Sequence, residues 1–305
     1  MSELLLSTNG LTKQYGHHKA VDKVNLHIKK GAIYGFIGRN GAGKTTCLKM
    51  ISGLARPTAG EIEMFGCKGK ELERIRSRVG CLIEAPGLYG NMNAYTNLKI
   101  KCELFGIRKK GYIEDILETV GLEGVGKKKT KHFSLGMKQR LGIGLALVGE
   151  PDLLVLDEPI NGLDPQGIAE VRDTIQRLQK ERNMTICISS HILEELSKIA
   201  TDYGIIHNGS LLQELTREEL MRRCSERMEL ILADPKLAIP VLDAMGFTNY
   251  QVTDKEHIHI FERLNESAAL NMELAKAGIP VKGLSITSEE LETYFLNLTG
   301  GVSHA

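Results

Sequence analysis

The segment GRNGAGKT at residues 38–45 fits the pattern G-x-x-x-x-G-K-[ST] and is the most informative part of the sequence. The apolar residues 32–37 before it predict a short buried strand, and residues 45–51 predict the first turns of a helix. A glycine-rich loop between a strand and a helix points backbone N–H groups and the positive end of the helix dipole at one place. The sequence therefore predicts a phosphate-binding loop, and this context argues against an accidental glycine-rich turn.

Each part of this loop has an expected role toward a nucleoside triphosphate. Lys44 would bridge the β- and γ-phosphates, and the Thr45 hydroxyl would coordinate Mg²⁺. We expect the nucleotide to be contacted by Gly38, Asn40, Gly41, Ala42, Gly43, Lys44, Thr45 and Thr46.

A second motif, LLVLDEP at residues 153–159, is an apolar run that ends in two carboxylates. Such a run predicts a buried parallel strand, so Asp157 and Glu158 would emerge at its carboxyl end, where open α/β sheets bind ligands. Asp157 would hold Mg²⁺ through water, and Glu158 would orient and deprotonate the water that attacks the γ-phosphate. The alternative is an acidic strand end before a turn, and the presence of the first motif argues against it.

The segment FSLGMKQRL at residues 133–141, just before Asp157, resembles the signature of ABC-type ATPases, which usually reads LSGGQ and is followed by a basic helix. Ser134 and Gly136 match that pattern in place, whereas the residues at 133, 135 and 137 depart from it. The resemblance implies that Ser134 and the backbone of Gly136 lie at a helix N-terminus. From there they would contact the γ-phosphate bound to a second protomer, so that ATP lies between two protomers.

Other landmarks of the ABC family follow in order. Tyr15 occupies the place of the aromatic residue that stacks on adenine, although a half-buried strand tyrosine is the alternative. Residues 161–164, NGLD, match the loop that passes between protomers, with Ile160 where Thr or Ser is usual. The β-rich run at 185–190 delivers His191 to the same sheet edge, where the resemblance implies contact with the γ-phosphate and the attacking water.

Glu84 is the main departure from the family pattern. Most ABC ATPases carry a glutamine in the loop that joins the catalytic core to the helical subdomain, whereas this chain reads CLIEAPGLY at residues 81–89. A carboxylate binds Mg²⁺ more strongly than an amide oxygen, but it adds negative charge near the triphosphate and near Glu158. We therefore include Glu84 with Thr45 and Asp157 as candidate metal ligands. A solvated loop glutamate is the alternative.

Together with this glutamate, the segment at 133–143 and the ending LETYFLNLTGG at 291–301 narrow the resemblance. The chain is similar, from residue 11 to its tail, to the ATPase subunits of bacitracin-resistance transporters and their lantibiotic-immunity relatives. The resemblance implies an ATP-driven pump for antimicrobial peptides, with separate integral-membrane permease subunits that handle the peptide. It also implies a clamp of two protomers that closes on two ATP molecules and opens after hydrolysis. We expect a homodimer, and a heterodimer of two ATPases stays open.

Composition is consistent with a soluble cytosolic protein and adds little more. With 39 basic and 38 acidic residues, the chain shows no bulk charge that would favour a nucleic-acid partner. The basic run at residues 127–131 is interpreted as a solvated loop. The six cysteines are isolated and form no C-x-x-C pair, which indicates free thiols in a reducing compartment and no metal site.

No stretch approaches the ~18 apolar residues that span a bilayer, and residues 1–6 lack the basic segment of a signal peptide. We therefore expect a cytoplasmic protein, peripheral on the cytoplasmic face of the cell membrane. Its permease partner is expected to contact the helical subdomain.

The predicted fold class is α/β, a P-loop ABC ATPase cassette with a RecA-like core, an antiparallel β subdomain and a helical subdomain at about residues 86–150. We expect the nucleotide-binding domain to span residues 1–215 and an α+β accessory domain to span 216–305. In the second domain the predicted elements are strand 228–232, helix 236–245, strands near 250–253 and 257–261, helix 267–276, strand 281–286 and a final helix at 289–298. The order β-α-β-β-α-β is typical of a ferredoxin-like domain.

Two other functions stay open from sequence. A soluble ABC-type ATPase could act on ribosomes or in cofactor assembly and use its C-terminal domain for recognition. Ribosomal ABC proteins usually carry two cassettes, whereas this chain has one phosphate loop. A purely regulatory ATP sensor is the third interpretation, and the presence of Glu158 and His191 gives it no support.

Overall fold

The computed structural model describes residues 3–224, 226–287 and 291–299. Two compact units divide the chain, Met1–Arg217 and Glu218–Ala305. None of the helices in the described ranges combines the length and the hydropathy that a bilayer-spanning segment requires.

The first unit contains eleven strands and seven α-helices among the described residues. Its strands are β1 (Leu4–Tyr15), β2 (His18–Val24), β3 (His27–Lys29), β4 (Ile33–Ile37), β5 (Ala59–Met64), β6 (Cys67–Lys68), β7 (Val79–Leu82), β8 (Leu153–Leu156), β9 (Thr185–Ser190), β10 (Asp202–His207) and β11 (Ser210–Thr216). Its helices are α1 (Lys44–Ile51), α2 (Leu72–Ile75), α3 (Ala94–Leu104), α4 (Tyr112–Thr119), α5 (Leu135–Leu147), α6 (Pro165–Arg182) and α7 (Leu193–Ser197).

The central sheet has the order β11-β10-β4-β9-β8-β7. All its neighbouring strands are parallel except β10 and β11, which form an antiparallel hairpin. Every residue of β4, β8 and β9 is buried, as expected for strands that are covered on both faces. Because β4, β8 and β9 are adjacent and parallel, the residues that follow them meet at one edge of the sheet.

A second sheet in this unit is antiparallel. It runs β2-β1-β5-β6, and β3 also pairs with β1. Its buried face shares one hydrophobic core with α1 and the central sheet, which includes Leu11, Ile28, Phe36 and Leu48. This core fixes α1, and therefore the loop before it, against the sheet.

A helical segment occupies most of residues 86–150. Helix α3 begins at Ala94, after Asn93, whose side-chain oxygen accepts a hydrogen bond from the Thr96 N–H at 2.8 Å. Helices α3, α4 and α5 pack against one another. The basic run at 127–131 has exposed lysines around the buried Thr130 and contains no α-helix or strand.

The second unit contains one antiparallel sheet with helices. It is formed by α8 (Arg217–Cys224, whose first residue belongs to the first unit), β12 (Arg227–Leu232), α9 (Ile239–Ala244), β13 (Tyr250–Val252), β14 (His257–Ile260), α10 (Ser267–Lys276), β15 (Val281–Thr287) and α11 (Leu291–Leu298). The sheet order is β13-β14-β12-β15, with every pair antiparallel.

The structure corrects one predicted helix in this unit. Residues 236–245 were predicted as one helix, but they form a 3-10 turn at Pro235–Leu237 followed by the short helix α9. Pro240 lies in the first turn of α9, where the missing N–H of proline is tolerated. In the interior of a longer helix that began at residue 236, the same proline would remove a hydrogen bond. The start predicted for the final helix, at residue 289, lies outside the described residues, as do the last two residues of the 291–301 segment.

The buried tyrosine of β4 forms a polar contact that connects three strands. The Tyr34 hydroxyl donates a hydrogen bond to Glu214 on β11 at 2.6 Å, and Glu214 also accepts one from the His27 backbone N–H at 2.9 Å. Burial, together with the Glu214 charge, raises the pKa of Tyr34 well above its usual value. The contact therefore ties the central sheet to the start of β3.

We expect Tyr34→Phe to lower the free energy of unfolding by about 2 kcal/mol, because a hydrogen bond to a charged acceptor is lost without loss of the ring. Tyr95→Phe is the matched control, since Tyr95 lies at the surface on α3. Urea unfolding of both variants measures the difference. Equal stability of the two variants would show that the Tyr34 hydroxyl contributes nothing net.

Candidate nucleotide-binding and catalytic site

The loop at residues 38–43 connects β4 to α1 and leaves no room for side chains at two glycines. A Cβ atom on Gly38 would lie 2.6 Å from the Ile206 carbonyl oxygen, and one on Gly43 would lie 2.4 Å from the Ala20 carbonyl oxygen. Gly43 also has a φ of 106°, which favours glycine. The sequence therefore folds here into a bare backbone cradle at the N-terminus of α1, which suits a phosphate group.

Lys44 is buried, with only 5% of the residue exposed. Its ammonium group donates to the carbonyl oxygens of Gly38, at 2.5 Å, and Arg39, at 3.3 Å. The same nitrogen lies 3.0 Å from Oε1 of Glu158. A buried ammonium group needs hydrogen-bond acceptors and a negative charge nearby. Here two backbone carbonyls of the loop and one carboxylate hold the Lys44 side chain across the loop.

Asp157 follows β8 and is also buried. Its Oδ2 accepts a hydrogen bond from the Thr45 hydroxyl at 2.8 Å, and its Oδ1 accepts one from the Ser189 hydroxyl at 2.7 Å. A hydroxyl and a carboxylate oxygen are ligand types that suit Mg²⁺, which usually keeps waters as its other ligands. The residues present therefore fit this metal at the Thr45 and Asp157 pair.

Glu158 has each carboxylate oxygen beside a different residue. Oε1 lies against Lys44, and Oε2 lies 2.8 Å from Nδ1 of His191, which directly follows β9. The backbone of Glu158 has a positive φ of 48°, and its N–H donates to the Ser189 hydroxyl at 2.9 Å. This geometry places a partly exposed carboxylate next to an imidazole, an arrangement that can accept a proton from a water molecule.

Glu84 contacts a lysine and not the Thr45 and Asp157 pair. Its Oε1 accepts a hydrogen bond from Nζ of Lys49 at 2.5 Å, and this hydrogen bond raises the pKa of Lys49. The Glu84 side chain is 65% exposed, so the ion pair is weakly stabilising. The structure thus brings Thr45 and Asp157 together and pairs Glu84 with Lys49. A metal role for Glu84 stays a prediction.

Three other predicted nucleotide contacts lie at the protein surface or at a helix start. Tyr15 ends β1 with half of its area exposed, and the Lys13 ammonium lies 5.0 Å from the centre of its ring. Ser134 precedes α5, and its hydroxyl accepts a hydrogen bond from the Met137 N–H at 3.2 Å. Gly136, in the first turn of α5, is buried. The predicted position of Ser134 at a helix N-terminus is therefore confirmed, whereas its ligand role stays a prediction.

Sequence reasoning missed Ser189 and Lys49. Ser189 joins the two acidic residues, because its hydroxyl donates to Asp157 and accepts from the Glu158 N–H. Its place two residues before His191, on a strand next to β8, could have indicated that Ser189 lies near the two acidic residues. Lys49 lies one helical turn after Thr45, a spacing that could have indicated a side chain near the site.

Thiol chemistry and a protein-only metal cluster gain no support at this site. Cys47 and Cys187 are fully buried, and burial raises the pKa of the Cys47 thiol to about 12 and that of Cys187 higher still. Neither thiol is ionised near neutral pH. In the ranges that the structure describes, no group of three or more His, Cys, Asp or Glu side chains could hold a metal ion.

Comparison with known proteins places the chain in a family. A family model described as ABC transporter matches residues 21–161. The bacitracin transport ATP-binding protein BcrA of Bacillus licheniformis is 45% identical over 97% of this chain and 98% of its own length. The lantibiotic transport ATP-binding protein SrtF of Streptococcus pyogenes is 44% identical over 69% of this chain and 90% of its own length.

A solved structure of an ATP-binding subunit of an ABC transporter is also similar, with 30% identity and a TM-score of 0.63. The match covers 72% of this chain and 92% of that chain. Sequence, fold and the arrangement of the loop with Asp157 and Glu158 thus agree. The chain belongs to the ATP-binding subunits of ABC transporters, a family of ATPases.

Proposed function

We propose that this protein is the ATP-hydrolysing motor of a multi-subunit exporter that expels antimicrobial peptides of the bacitracin or lantibiotic type and so confers resistance or immunity. The observation that carries the proposal is the 45% identity to BcrA along nearly the whole of both chains, including the C-terminal unit. The peptide is handled by integral-membrane permease subunits, and this chain supplies the energy.

In the proposed reaction, the backbone at residues 38–46 holds the phosphates and Lys44 neutralises the β- and γ-phosphates. Glu158 accepts a proton from the attacking water, and His191 positions that water and the γ-phosphate. The support is geometric, since Glu158 lies 3.0 Å from Lys44 and 2.8 Å from His191. Lys44 would exchange its carboxylate partner for phosphate oxygens when ATP binds.

Mg²⁺ is the proposed cofactor. It would neutralise charge on the phosphate oxygens and would be held by the Thr45 hydroxyl and, through water, by Asp157. The 2.8 Å contact between these two side chains supports that pairing. Glu84 would join them if its ion pair with Lys49 opened.

We propose that two copies of the chain form a clamp around two ATP molecules. Ser134 and Gly136 of one protomer would face the phosphates held by the loop of the other, and Tyr15 would stack on adenine. The exposure of Tyr15 and Leu135 supports this assignment, because both surfaces are available to an additional molecule. Closure would require ATP contacts from both copies.

The proposed location is the cytoplasmic face of the cell membrane, where the helical subdomain at about 86–150 contacts the permease. Large apolar side chains are exposed in that segment, among them Tyr89, Leu104 and Phe105. Exposed apolar groups close together favour a protein partner. With a charge balance near zero, nucleic acid is not a proposed partner.

For the domain organisation, we propose a nucleotide-binding domain at residues 1–215 and a ferredoxin-like accessory domain at 216–305. The support is the β-α-β-β-α-β order of β12 to β15 and their sheet order, in which the first strand lies between the third and the last.

Lys44→Ala is expected to abolish ATP binding, because the buried cation that balances the phosphate charge is removed. Lys180→Ala, a change at an exposed position on α6, is the control and should bind ATP normally. Equilibrium dialysis with labelled ATP measures both. Normal affinity in a folded Lys44→Ala protein would contradict the phosphate role.

Glu158→Gln is expected to slow ATP hydrolysis by about 10²- to 10⁴-fold while ATP still binds, because the amide cannot accept the proton of water. Sedimentation velocity with ATP should then show an accumulated dimer. Glu181→Gln, at an exposed position near the end of α6, is the control for loss of one charge. Rapid hydrolysis by Glu158→Gln would mean that another group is the base.

Transport is tested by mild cross-linking in cells, detergent solubilisation, affinity capture and mass spectrometry. Recovery of polytopic membrane proteins is expected, and a strain without this protein should become more sensitive to bacitracin or a lantibiotic. Glu158→Gln should not restore tolerance, whereas Glu181→Gln should. Recovery of ribosomal or soluble assembly proteins without an integral membrane partner would overturn the transport proposal and leave the ATPase chemistry intact.

A further inference from the structure

A polar cleft lies on one face of the sheet in the second unit. Along β12, Met228 and Leu230 are buried in the core on one face, and the alternating residues Arg227 and Glu229 lie on the other. Strand pairing sets His259 of β14 opposite Glu229, on the same face. The cleft on this polar face has a volume of about 430 Å³, which lies within the range of small-molecule sites.

The lining of the cleft is positively charged. Among the residues that the structure describes, Arg222, Arg223 and Arg227 line it with a single carboxylate, that of Glu219. Guanidinium groups present paired N–H donors whose geometry matches phosphate and carboxylate oxygens. A cleft with this lining favours an anionic ligand.

Arg227 also has an unused donor. Its Nε atom is buried and has no hydrogen-bond partner among the described residues. Thr287 is paired with Arg227 across β12 and β15, and its hydroxyl is also buried without a hydrogen-bond partner among the described residues. Buried polar groups in native proteins nearly always have a partner. These two buried atoms show that the described residues leave hydrogen-bonding capacity unmet beside the cleft.

The arginines are held in place by contacts within the unit. One guanidinium nitrogen of Arg227 donates to the Arg223 carbonyl oxygen at 2.9 Å, and Arg223 donates to the Tyr294 hydroxyl at 2.6 Å. The Arg223 guanidinium also lies 5.8 Å from the centre of the Tyr294 ring. These contacts orient the donors before a ligand arrives, which lowers the entropic cost of binding.

Aromatic and neutral polar groups complete the lining. Phe261 and Tyr294 contribute rings, and Gln251 and Thr253 contribute an amide and a hydroxyl. The edge of one ring of the His259–Phe261 pair meets the face of the other, with centres 6.3 Å apart. Burial lowers the pKa of His259 and the Arg227 charge lowers it further, whereas the hydrogen bond between His259 and Glu229 opposes this shift.

We propose that this cleft binds a small organic phosphate, a phosphate monoester that carries a flat unsaturated ring and has the size of a nucleoside monophosphate. Arg227 and Arg223 contact the phosphate, and the rings of Phe261 and Tyr294 pack against the flat group. The site is separate in sequence from the loop at 38–45 and does not depend on the transport proposal.

The test uses the full chain, with its arginine side chains labelled with ¹⁵N for NMR. Adenosine and uridine monophosphates, inorganic phosphate and adenosine are titrated separately, and the Nε–H signals of Arg223 and Arg227 are followed. Each signal is identified by its loss in the corresponding Arg→Lys variant. Because the readout is local, nucleotide bound at the Lys44 loop does not obscure it.

Saturable shifts of both signals are expected with the monophosphates, weaker ones with inorganic phosphate and none with adenosine. Arg227→Gln should raise the dissociation constant about tenfold or more, whereas Lys276→Gln, an equal charge change on α10 outside the cleft, should leave it unaltered. If Arg227→Gln does not fold, Gln251→Ala, an exposed change in the lining, should weaken binding instead.

Three results would overturn the proposal. The first is no shift with any phosphate at millimolar concentration. The second is an equal loss of affinity in Lys276→Gln, which would indicate a general charge effect. The third is binding of adenosine as tight as that of its monophosphate, which would remove the role of the phosphate.

Discussion

The contact between Lys44 and Glu158 is the interaction on which the site depends. The ammonium is almost fully buried, so it requires a nearby negative charge, and the only strong one it contacts in the described structure is the Glu158 carboxylate at 3.0 Å. The pair joins the loop after β4 to the end of β8. A triphosphate would supply the same negative charge, and it would release Glu158 to face water. In the proposed mechanism, this one cation would couple ATP binding to catalysis.

The parallel order of β4, β9 and β8 brings the two residues of that contact to one edge of the sheet. Their carboxyl ends lie side by side, so three chain segments that are far apart in sequence deliver Lys44, His191 and Glu158 to one edge. Ser189 locks two of these segments together by hydrogen-bonding both acidic residues. The antiparallel sheet shares a hydrophobic core with α1, and the Tyr34–Glu214 hydrogen bond holds β4, so the elements on both sides of the loop are fixed.

Much of the site could be predicted from sequence because its parts are local. The strand, loop and helix around residues 38–45 and the buried strand before Asp157 depend on short patterns of apolar residues and glycine, and the structure confirms them. The choice of side-chain partners is not local. The contact of Glu84 with Lys49 joins residues 35 positions apart, and no periodicity indicates which cation that carboxylate meets.

In the C-terminal unit too, local elements could be predicted from the sequence, whereas contacts between distant residues could not. The sequence predicts its strands to within a residue or two, but the helix around Pro240 is shorter than predicted, because proline has no N–H to donate to the preceding turn. The cleft beside Arg227 was missed entirely. Its arginines come from α8 and β12, and only the folded sheet brings them next to His259 and Gln251.

A structure of the Glu158→Gln variant with ATP and Mg²⁺ would test the proposed mechanism. We expect a dimer in which Lys44 contacts the phosphates and not residue 158. In that dimer Ser134 of each copy reaches the γ-phosphate on the other, and Asp157 lies by the metal. A monomer with ATP enclosed by one chain, or a dimer in which Ser134 faces solvent, would contradict it.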